Sequence, residues 1–322
     1  MELPPALRAG VDEMLQGAPL RLLQEAASNL STRYRNETRD GRLHLDGDLA
    51  VKAYLAARLP ATYAAIRASF SMLEEVVADF SPASLLDVGA GPGAALWAAV
   101  DAWPMLTQAR MLEASDPARL AGAELSRRLG AVRCDWSKGD ATQTFNEIPA
   151  ADLVTLSYVL DELPPAAIQP LIAQLWDRTR QILFVVEPGT PAGWRRVLAA
   201  RRHLIDAGAH ILAPCPHSAP CPLSEPDWCH FARRVARSRL HRLTKGAEVP
   251  WEDEKFIFVA ASPVPNPVAA ARILAPPHVG KAAVGLKLCE PGGACARRSI
   301  PKRDRDAFRA AKRLGWGDCL HL

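Results

Sequence analysis

The chain lacks apolar runs long enough to cross a membrane, and it has few aromatic residues. Its apolar stretches, such as ILFVV at 182–186, are much shorter than the roughly 20 residues that a spanning helix needs. The N-terminus carries early acids and no apolar signal core, and aromatic residues make up only 6% of the 322 residues. We therefore expect a cytoplasmic protein without membrane contact, and we take it to be a monomer.

Charge is distributed unevenly along the chain. Residues 1–230 carry 21 Lys and Arg against 27 Asp and Glu, whereas residues 231–322 carry 18 against 8. A basic C-terminal third on an acidic body indicates a surface that meets a polyanion such as nucleic acid. The alternative is an ordinary solvated basic surface.

The hydrophobic pattern predicts a helical N-terminal region over 1–80 and an α/β domain over 81–262. In the second region, short apolar runs alternate with helix-length segments, which is typical of a parallel Rossmann-like sheet. Residues 208–250 lie between the last two predicted strands and are interpreted as a cysteine-bearing insertion. The sequence SPVPNP at 262–267 is a predicted linker to a small, basic, β-rich extension over 263–322.

A glycine loop follows the first predicted strand, where LLDVGAGPG places Gly89, Gly91 and Gly93 before a helix. Glycines at such a turn let the backbone bend sharply and let a ligand approach closely. A dinucleotide fingerprint is the alternative. Against it, Pro92 removes an amide that a pyrophosphate would bind, and Asp87 suits a cationic or hydroxyl-rich ligand. The loop resembles the first motif of class I S-adenosylmethionine-dependent methyltransferases.

That resemblance implies a cofactor site at the ends of three strands. Glu113 closes the second strand, where such proteins hold the ribose hydroxyls, and Asp135 closes the third, where adenine usually binds. The alternative is a glycine turn with two surface acids. No catalytic residue is assigned, because the fourth strand is followed by LSYVL rather than the Asn/Asp-Pro-Pro-Tyr/Phe box of amino-methylating enzymes. Asp161 and Glu162 are a candidate base or a helix cap.

Three cysteines lie in a proline-rich segment with the spacing C-x5-C-x7-C, at Cys215, Cys221 and Cys229. Cytosolic thiols stay reduced, so clustered cysteines indicate a metal site rather than disulfides. The spacing is not that of paired C-x2-C zinc-ribbon units, and the prolines keep the segment out of helix and sheet. The candidates for a fourth ligand are His217, His230, Cys289, Cys295 and Cys319.

The segment APCPHSAPCPLSEPDWCHFARRV, with EDEKFIFVAAS, VGLKLCEPGG and the terminal WGD, resembles one family over nearly the whole chain. This family comprises the methyltransferase-like proteins that associate with the mitochondrial small ribosomal subunit during assembly, and their bacterial relatives. The resemblance implies a 4Fe-4S cluster on four cysteines, with His217 and His230 as neighbours that tune it. The matching cysteines here are Cys215, Cys221, Cys229 and Cys289. Zinc on the same thiolates is the alternative.

Arginines and lysines follow the cysteine segment, and if this stretch is helical several of them share one broad face. Spread cations without an aromatic-rich surface suit phosphate contacts to folded RNA. The residues predicted to bind rRNA are Arg233, Arg234, Arg237 and Lys245. Further charge in the tail comes from Arg297, Arg298, Lys302, Arg303 and Arg305.

The resemblance implies a protein associated with the small ribosomal subunit that binds S-adenosylmethionine and an iron–sulfur cluster. Three functions stay open. The protein is an rRNA methyltransferase, a non-catalytic assembly factor with the same fold, or a zinc-containing methyltransferase of a small molecule or protein. Salt-dependent RNA binding would separate the first two functions from the third.

Overall fold

The computed structural model describes residues 1–38, 40, 42–142, 147–265 and 270–321, so residues 266 and 267 of the predicted linker lie outside the described residues. The helices in these ranges are α1 (Pro5–Met14), α2 (Leu20–Arg35), α3 (Asp48–Ala57), α4 (Leu59–Glu74), α5 (Ala94–Ala102), α6 (Asp116–Ser126), α7 (Pro165–Asp177), α8 (Pro191–Asp206), α9 (Arg239–Lys245) and α10 (Arg305–Ala311). The strands in these ranges are β1 (Ser84–Val88), β2 (Gln108–Glu113), β3 (Arg133–Lys138), β4 (Ala151–Ser157), β5 (Thr179–Pro188), β6 (His210–Ala213), β7 (Phe231–Ala236), β8 (Trp251–Ser262), β9 (Ala270–Ile273), β10 (His278–Val279), β11 (Ala283–Cys289), β12 (Cys295–Pro301) and β13 (Cys319–His321).

The main sheet has the strand order β3-β2-β1-β4-β5-β8-β6, with β7 also pairing with β8. Strands β1 to β5 run parallel, whereas β8 runs antiparallel to both β5 and β6. The winding reverses between β1 and β4, and in such sheets ligands bind at the carboxyl ends of the strands beside this reversal. The predicted Rossmann-like α/β fold is confirmed.

The N-terminal region is helical, as predicted, and it covers part of the main sheet. Helix α3 ends at Ala57 and α4 begins at Leu59, with Pro60 in the first turn of α4, where its missing amide costs no hydrogen bond. Phe70 of α4 packs edge-on against Phe184 of β5, with ring centroids 4.7 Å apart. The helices therefore share one hydrophobic core with the sheet.

Two strands lie within the segment interpreted as an insertion. Both β6 and β7 join the main sheet through β8, so part of 208–250 belongs to the sheet. Strand β7 also replaces the helix expected after Cys229. It pairs with β8 from Phe231 opposite Phe256 to Ala236 opposite Trp251. This pairing provides partners for the backbone hydrogen-bonding groups of the segment, and it outweighs the helical spacing of the side chains. The domain boundaries themselves stay a prediction.

A second sheet forms the C-terminal lobe, which we define as residues 270–321. Its strand order is β10-β11-β9-β13, with β12 also pairing with β11, and all of these pairs are antiparallel. The sheet and α10 bury a small core of their own. Its members are Ala271, Ile273, Val284, Leu286, Leu288 and Ala311. Across the part of the chain that the structure describes, every helix is too short or too polar to cross a membrane.

Candidate functional site

The glycine loop lies between β1 and α5, at the reversal of the winding. Gly89 has φ +67°, and a Cβ on it would lie 2.4 Å from Cγ2 of Val159. Gly91 has φ +53° and no atom within 4 Å of where its Cβ would lie. The amides of Gly89 and Ala90 donate to the carbonyl oxygen of Leu112 at 2.9 and 3.0 Å. The loop is therefore anchored to β2, and Gly91 borders open space where a ligand can approach the backbone.

Asp87 is buried near the carboxyl end of β1, with an exposed fraction of 1%. Its Oδ1 accepts a hydrogen bond from Oγ1 of Thr155 at 2.7 Å, whereas its Oδ2 has no hydrogen-bond partner among the described residues. Burial raises the pKa of this carboxyl to about 7, and the neighbouring Glu113 adds to the rise while Thr155 opposes it. A buried carboxylate oxygen without a donor is costly, so this position suits a cationic or hydrogen-donating ligand.

Glu113 ends β2 and is buried beside the glycine loop. Its Oε2 accepts from the amide of Gly91 and its Oε1 from the amide of Ser115, both at 2.7 Å. Burial raises the pKa of Glu113, and these amides partly counter the rise. Glu113 lines the cleft at the predicted place, and it also holds the loop in its conformation.

The structure does not bring Asp135 or Gly93 to the cleft. Strand β3 continues three residues beyond Asp135, which is exposed in mid-strand and paired with Arg133 at 3.4 Å. The acid that lines the cleft after this strand is Asp140. Gly93 has φ +92°, a backbone conformation that favours glycine, so this residue serves the turn into α5.

These residues line a cleft of about 800 Å³, a size typical of small-molecule sites. Asp161 and Glu162 line it as well, in the segment between β4 and α7. Because α7 begins at Pro165 after an N-cap at Pro164, the helix-cap interpretation of this acidic pair is wrong. Burial, together with nearby carboxylates, raises the pKa of Glu162 to about 8.

Part of the cleft wall comes from the N-terminal region, which the sequence did not indicate. Tyr34, Glu37 and His44, from the end of α2 and the segment after it, line the cleft. Arg196 of α8 donates through Nη1 to Glu37 and through Nε to Glu187 of β5, both at 2.8 Å. This bridge fixes the N-terminal wall to the main sheet.

Tyr158 follows β4, at the position where amino-methylating enzymes carry their catalytic box. Its φ is +60°, which a residue with a side chain rarely adopts and which is often found at functional sites. Its hydroxyl donates to Oε1 of Glu254 at 3.3 Å, and Nη2 of Arg58 donates to the same oxygen at 3.3 Å. The Tyr158 side chain is therefore fixed by contacts across the cleft.

The four cysteines predicted as metal ligands line one cavity between the main domain and the C-terminal lobe. Cys215 and Cys221 lie in the loop after β6, Cys229 precedes β7, and Cys289 ends β11. All four are free thiols, and burial raises the pKa of each of them. Two distant parts of the chain, the segment 215–229 and the end of β11, therefore contribute thiols to the lining of one cavity.

Sulfur ligands of this kind suit zinc or an iron–sulfur cluster, so the donor set fits the predicted groups chemically. Among the described residues, no group of three or more His, Cys, Asp and Glu side chains is arranged to hold a metal ion. The choice of ligands and of metal therefore stays a prediction.

Two charged or polar side chains border the thiols. Nε2 of His217 lies 3.2 Å from Sγ of Cys289. Arg201 of α8 is 5% exposed, and its Nη2 donates to the carbonyl oxygens of His217 and Ala219 at 2.7 and 2.8 Å. The guanidinium of Arg201 partly counters the rise that burial causes in the pKa of Cys215. No motif in the sequence points to Arg201.

The remaining candidates for a fourth ligand occupy other positions. His230 stacks on Trp228, with ring centroids 5.0 Å apart, and it does not line the cavity. Cys295 lies directly opposite Cys289 on the β11–β12 pair, so its side chain is on the same face of that hairpin. Cys319 lies in β13, opposite Arg272.

Arg272 joins the C-terminal lobe to the rest of the molecule. It is 2% exposed, and its guanidinium contacts three separate segments. It donates to the carbonyl oxygens of Pro214 (3.2 Å), Gly317 (2.7 Å) and Met72 (3.3 Å), and to the carboxylate of Glu75 (3.0 Å). Because Pro214 precedes Cys215, this contact also positions the start of the cysteine loop.

Three of the four predicted RNA-binding residues form ion pairs within the protein. Arg234 pairs with Asp253 at 2.9 Å. Arg237 and Lys245 both pair with Glu252, at 2.8 and 2.6 Å. In the C-terminal lobe, seven exposed Lys and Arg residues have no ion pair within the described ranges. Four of them are tail residues singled out in the sequence, namely Arg297, Lys302, Arg303 and Arg305.

The strand order, the glycine loop at the reversal of the winding and the buried acid that ends β2 define a protein of the class I methyltransferase fold. Residues 48–321 match the model of the family described as mitochondrial small ribosomal subunit Rsm22, and the chain belongs to this family.

Curated relatives include the ribosome assembly protein METTL17, mitochondrial, of Homo sapiens, which is 28% identical over 285 residues. That match covers 83% of this chain and 61% of the human protein. The Rsm22-cox11 tandem protein 2, mitochondrial, of Schizosaccharomyces pombe is 23% identical over 329 residues, covering 85% of this chain and 43% of the relative. The chain thus spans about half of the length of the curated relatives that it matches.

Solved structures with similarity include magnesium protoporphyrin IX methyltransferase from Synechocystis PCC 6803 with bound S-adenosylmethionine, with a TM-score of 0.43 and 13% identity over 73% of this chain and 91% of that one. An O-methyltransferase family protein from Burkholderia thailandensis gives a TM-score of 0.45 and 15% identity over 76% of this chain and 71% of that one. The fold class rests on the strand order described above.

The expectation of a cytoplasmic protein is wrong. The family is described as mitochondrial, and the curated relatives are mitochondrial proteins. The expectation rested on the early acids and the missing apolar signal core of the N-terminus. These features alone do not determine the compartment in which a ribosome-associated family works.

Proposed function

We propose that this protein acts in the assembly of the small ribosomal subunit and carries an S-adenosylmethionine site and a four-cysteine metal centre. The observation that carries the proposal is that three thiols of the segment 215–229 and the distant Cys289 line one cavity in a chain of the Rsm22 family. The human relative named above is a ribosome assembly protein, which supports the same role here.

The cleft at the glycine loop is the proposed S-adenosylmethionine site. Asp87 would face a positively charged or N–H-bearing part of the cofactor through its unpartnered Oδ2, and Glu113 the ribose hydroxyls. Gly91 leaves the space for the approach. When bound, the cofactor supplies an electrophilic methyl group on its sulfonium.

The cavity between the main domain and the C-terminal lobe is the proposed metal centre. Its four thiols would hold a 4Fe-4S cluster, with zinc as the alternative. The predicted ligands are Cys215, Cys221, Cys229 and Cys289. Either group would stabilise the junction of the two parts, since metal–thiolate bonds would join loop segments of the main domain to β11.

Contact with rRNA is proposed for the exposed cations of the C-terminal lobe, together with Arg233 on β7. Arg233 is exposed and, unlike Arg234, forms no ion pair within the described ranges. Cations that are already bound to carboxylates in the fold would have to break those pairs before contacting phosphate, whereas the free ones would not.

Methyl transfer to rRNA is the first candidate activity, because the cleft retains space beside the glycine loop. Assembly without turnover is the second, and it is favoured by the Tyr158 side chain, which is fixed by Glu254 at the position where the acceptor would be oriented. Incubation of methyl-labelled S-adenosylmethionine with immature small subunits separates the two. Label in rRNA supports the enzyme, and association without label supports the assembly factor.

A further inference from the structure

Arg201 is one of the few buried cations of the main domain, and it lies in the wall of the thiol cavity. Helix α8 carries it beside Cys215, Cys221 and Cys289, and the side chain is only 5% exposed. The next residue, Arg202, lies on the same helix and is exposed. The helix therefore directs one of two adjacent arginines toward the cysteines.

The hydrogen bonds of Arg201 fix its position but do not neutralise its charge. Nη2 donates to the carbonyl oxygens of His217 and Ala219 at 2.7 and 2.8 Å, and Nε has no hydrogen-bond partner in the part of the chain that the structure describes. No carboxylate in the described ranges forms an ion pair with it. Arg272, the other buried arginine beside this loop, differs in having the carboxylate of Glu75 at 3.0 Å.

A guanidinium stays protonated in proteins, so burial cannot be relieved by loss of its proton. Buried charges are costly unless an opposite charge lies close to them. The groups near Arg201 that become anionic are the cysteines, when they bind a metal as thiolates. Four thiolates on zinc or on a 4Fe-4S cluster carry a net negative charge, which grows when a cluster is reduced.

We propose that Arg201 is the counter-cation of the four-thiolate metal centre, a positioning residue that holds the cysteine loop through its carbonyls and stabilises the anionic site. This inference rests on the proposed metal centre but does not depend on which metal is present. Removal of the charge should weaken retention of either metal. It should also lower the midpoint potential of a cluster, because the more negative reduced form loses a nearby cation.

The test compares Arg201→Gln with Arg202→Gln in the full chain. Gln at 201 keeps an N–H donor for the loop carbonyls but removes the charge, and the change at 202 removes the same charge from the exposed neighbour. The measurements are iron and zinc content, zinc affinity by competition with a chromophoric chelator, and the midpoint potential by electron paramagnetic resonance titration. We expect Arg201→Gln to lose about tenfold to a hundredfold in metal affinity and to shift the potential downward, and Arg202→Gln to match wild type.

Arg201→Lys guards against a folding defect, because it keeps the charge and shortens the hydrogen-bonding fork. We expect the midpoint potential of Arg201→Lys to lie closer to the wild-type value than the midpoint potential of Arg201→Gln does. If wild type binds a metal and Arg201→Gln matches Arg202→Gln in affinity and potential, the role of Arg201 is overturned while the metal centre stands. If wild type holds zinc in place of iron and sulfide, the cluster is excluded, and the zinc affinities still decide the role of Arg201. If wild type holds neither metal, both proposals fail.

Discussion

Asp87 is a buried acid whose charge is only partly balanced by the chain itself. Burial raises its pKa from 3.8 to about 7. Between these values the folded protein retains a proton that the unfolded chain has released, so this group makes the free energy of unfolding fall as pH rises through that window. A cationic ligand would reverse the preference, because it favours the ionised carboxylate.

The affinity for S-adenosylmethionine should therefore depend on pH through Asp87. With a pKa of about 7, we expect binding to be about tenfold weaker at pH 6 than at pH 8, measured by isothermal titration calorimetry. Asp87→Asn should bind about tenfold to a hundredfold more weakly at pH 8, and it should lose the step near pH 7. The control is Asp140→Asn, which lines the same cleft and should keep that step. An unchanged step in Asp87→Asn would contradict the assignment.

The sequence allowed a residue to be assigned to the cleft wherever it also showed where the preceding strand ends. Gly89, Gly91 and Glu113 follow strands whose ends are marked by a glycine loop or by a drop in apolar character. Asp135 was misplaced because β3 continues beyond it, with the polar residues of an exposed edge strand that give no apolar signal. Arg201 gave no signal at all, since it is followed directly by Arg202 and His203 and nothing in the sequence sets it apart from them.

At the scale of elements, the junction between β9, α4 and the cysteine loop depends on one side chain. Arg272 donates to three carbonyl oxygens and to Glu75 from a buried position. Its removal would leave these acceptors without a donor in a place that water cannot reach easily. When an exposed ion pair elsewhere in the lobe is broken, the remaining group is not left without a partner, because water replaces the lost side chain.

Arg272→Gln should lower the free energy of unfolding by about 3 kcal/mol, measured by urea denaturation. The matched control is Arg309→Gln, which breaks the exposed pair with Asp306 at 2.6 Å and should cost less than about 0.5 kcal/mol. Equal stability of the two variants would show that the buried network does not hold the lobe in place.

The stretch after Cys229 shows how tertiary pairing changes a sequence-based prediction. Helical spacing of its arginines suggested one basic face, but β7 pairs with β8, and that pairing places Arg234 next to Asp253. Arg237 and Lys245 then meet on Glu252, whose pKa is lowered by His241 and by these cations despite its burial. The arrangement depends on residues of β8 that lie far along the chain, which local periodicity cannot report.

Arg237→Ala should therefore affect stability, and Arg303→Ala should affect RNA binding. We expect Arg237→Ala to lower the free energy of unfolding by about 2 kcal/mol with unchanged affinity for a structured rRNA fragment. Arg303→Ala should keep its stability and reduce the slope of log K against log salt by about one. If Arg237→Ala weakened RNA binding and Arg303→Ala did not, the RNA surface would lie on β7 and α9.

For the molecule as a whole, the sequence predicted a Rossmann-like domain, a helical N-terminal region and a basic β-rich extension, because apolar periodicity is strong in each. It did not predict that the N-terminal region forms a wall of the cleft, or that β6 and β7 join the main sheet. Such contacts join distant segments, such as Glu37 and Arg196. The main domain and the lobe are joined by the thiol cavity, by Arg272 and by the pair of Lys287 with Asp227 at 2.5 Å.

Removal of the metal should loosen the C-terminal lobe without releasing it. Because Arg272 and Lys287 also link the lobe to the main domain, we expect chelator-treated protein to be cut in 270–321 several times faster than untreated protein, with the main domain equally resistant in both. Limited proteolysis with mass spectrometry measures both rates. Equal cutting of the lobe with and without metal would show that the centre does not hold it.

The most direct test of the central claim is the iron, acid-labile sulfide and zinc content of the full chain, purified without oxygen. It should be measured for wild type, Cys289→Ser and Cys295→Ser, since these two cysteines lie opposite each other on one hairpin and only Cys289 is a predicted ligand. Our expectation is about four irons and four sulfides per chain in wild type and in Cys295→Ser, and their loss in Cys289→Ser. Wild-type protein without bound metal, or full metal content in Cys289→Ser, would contradict it.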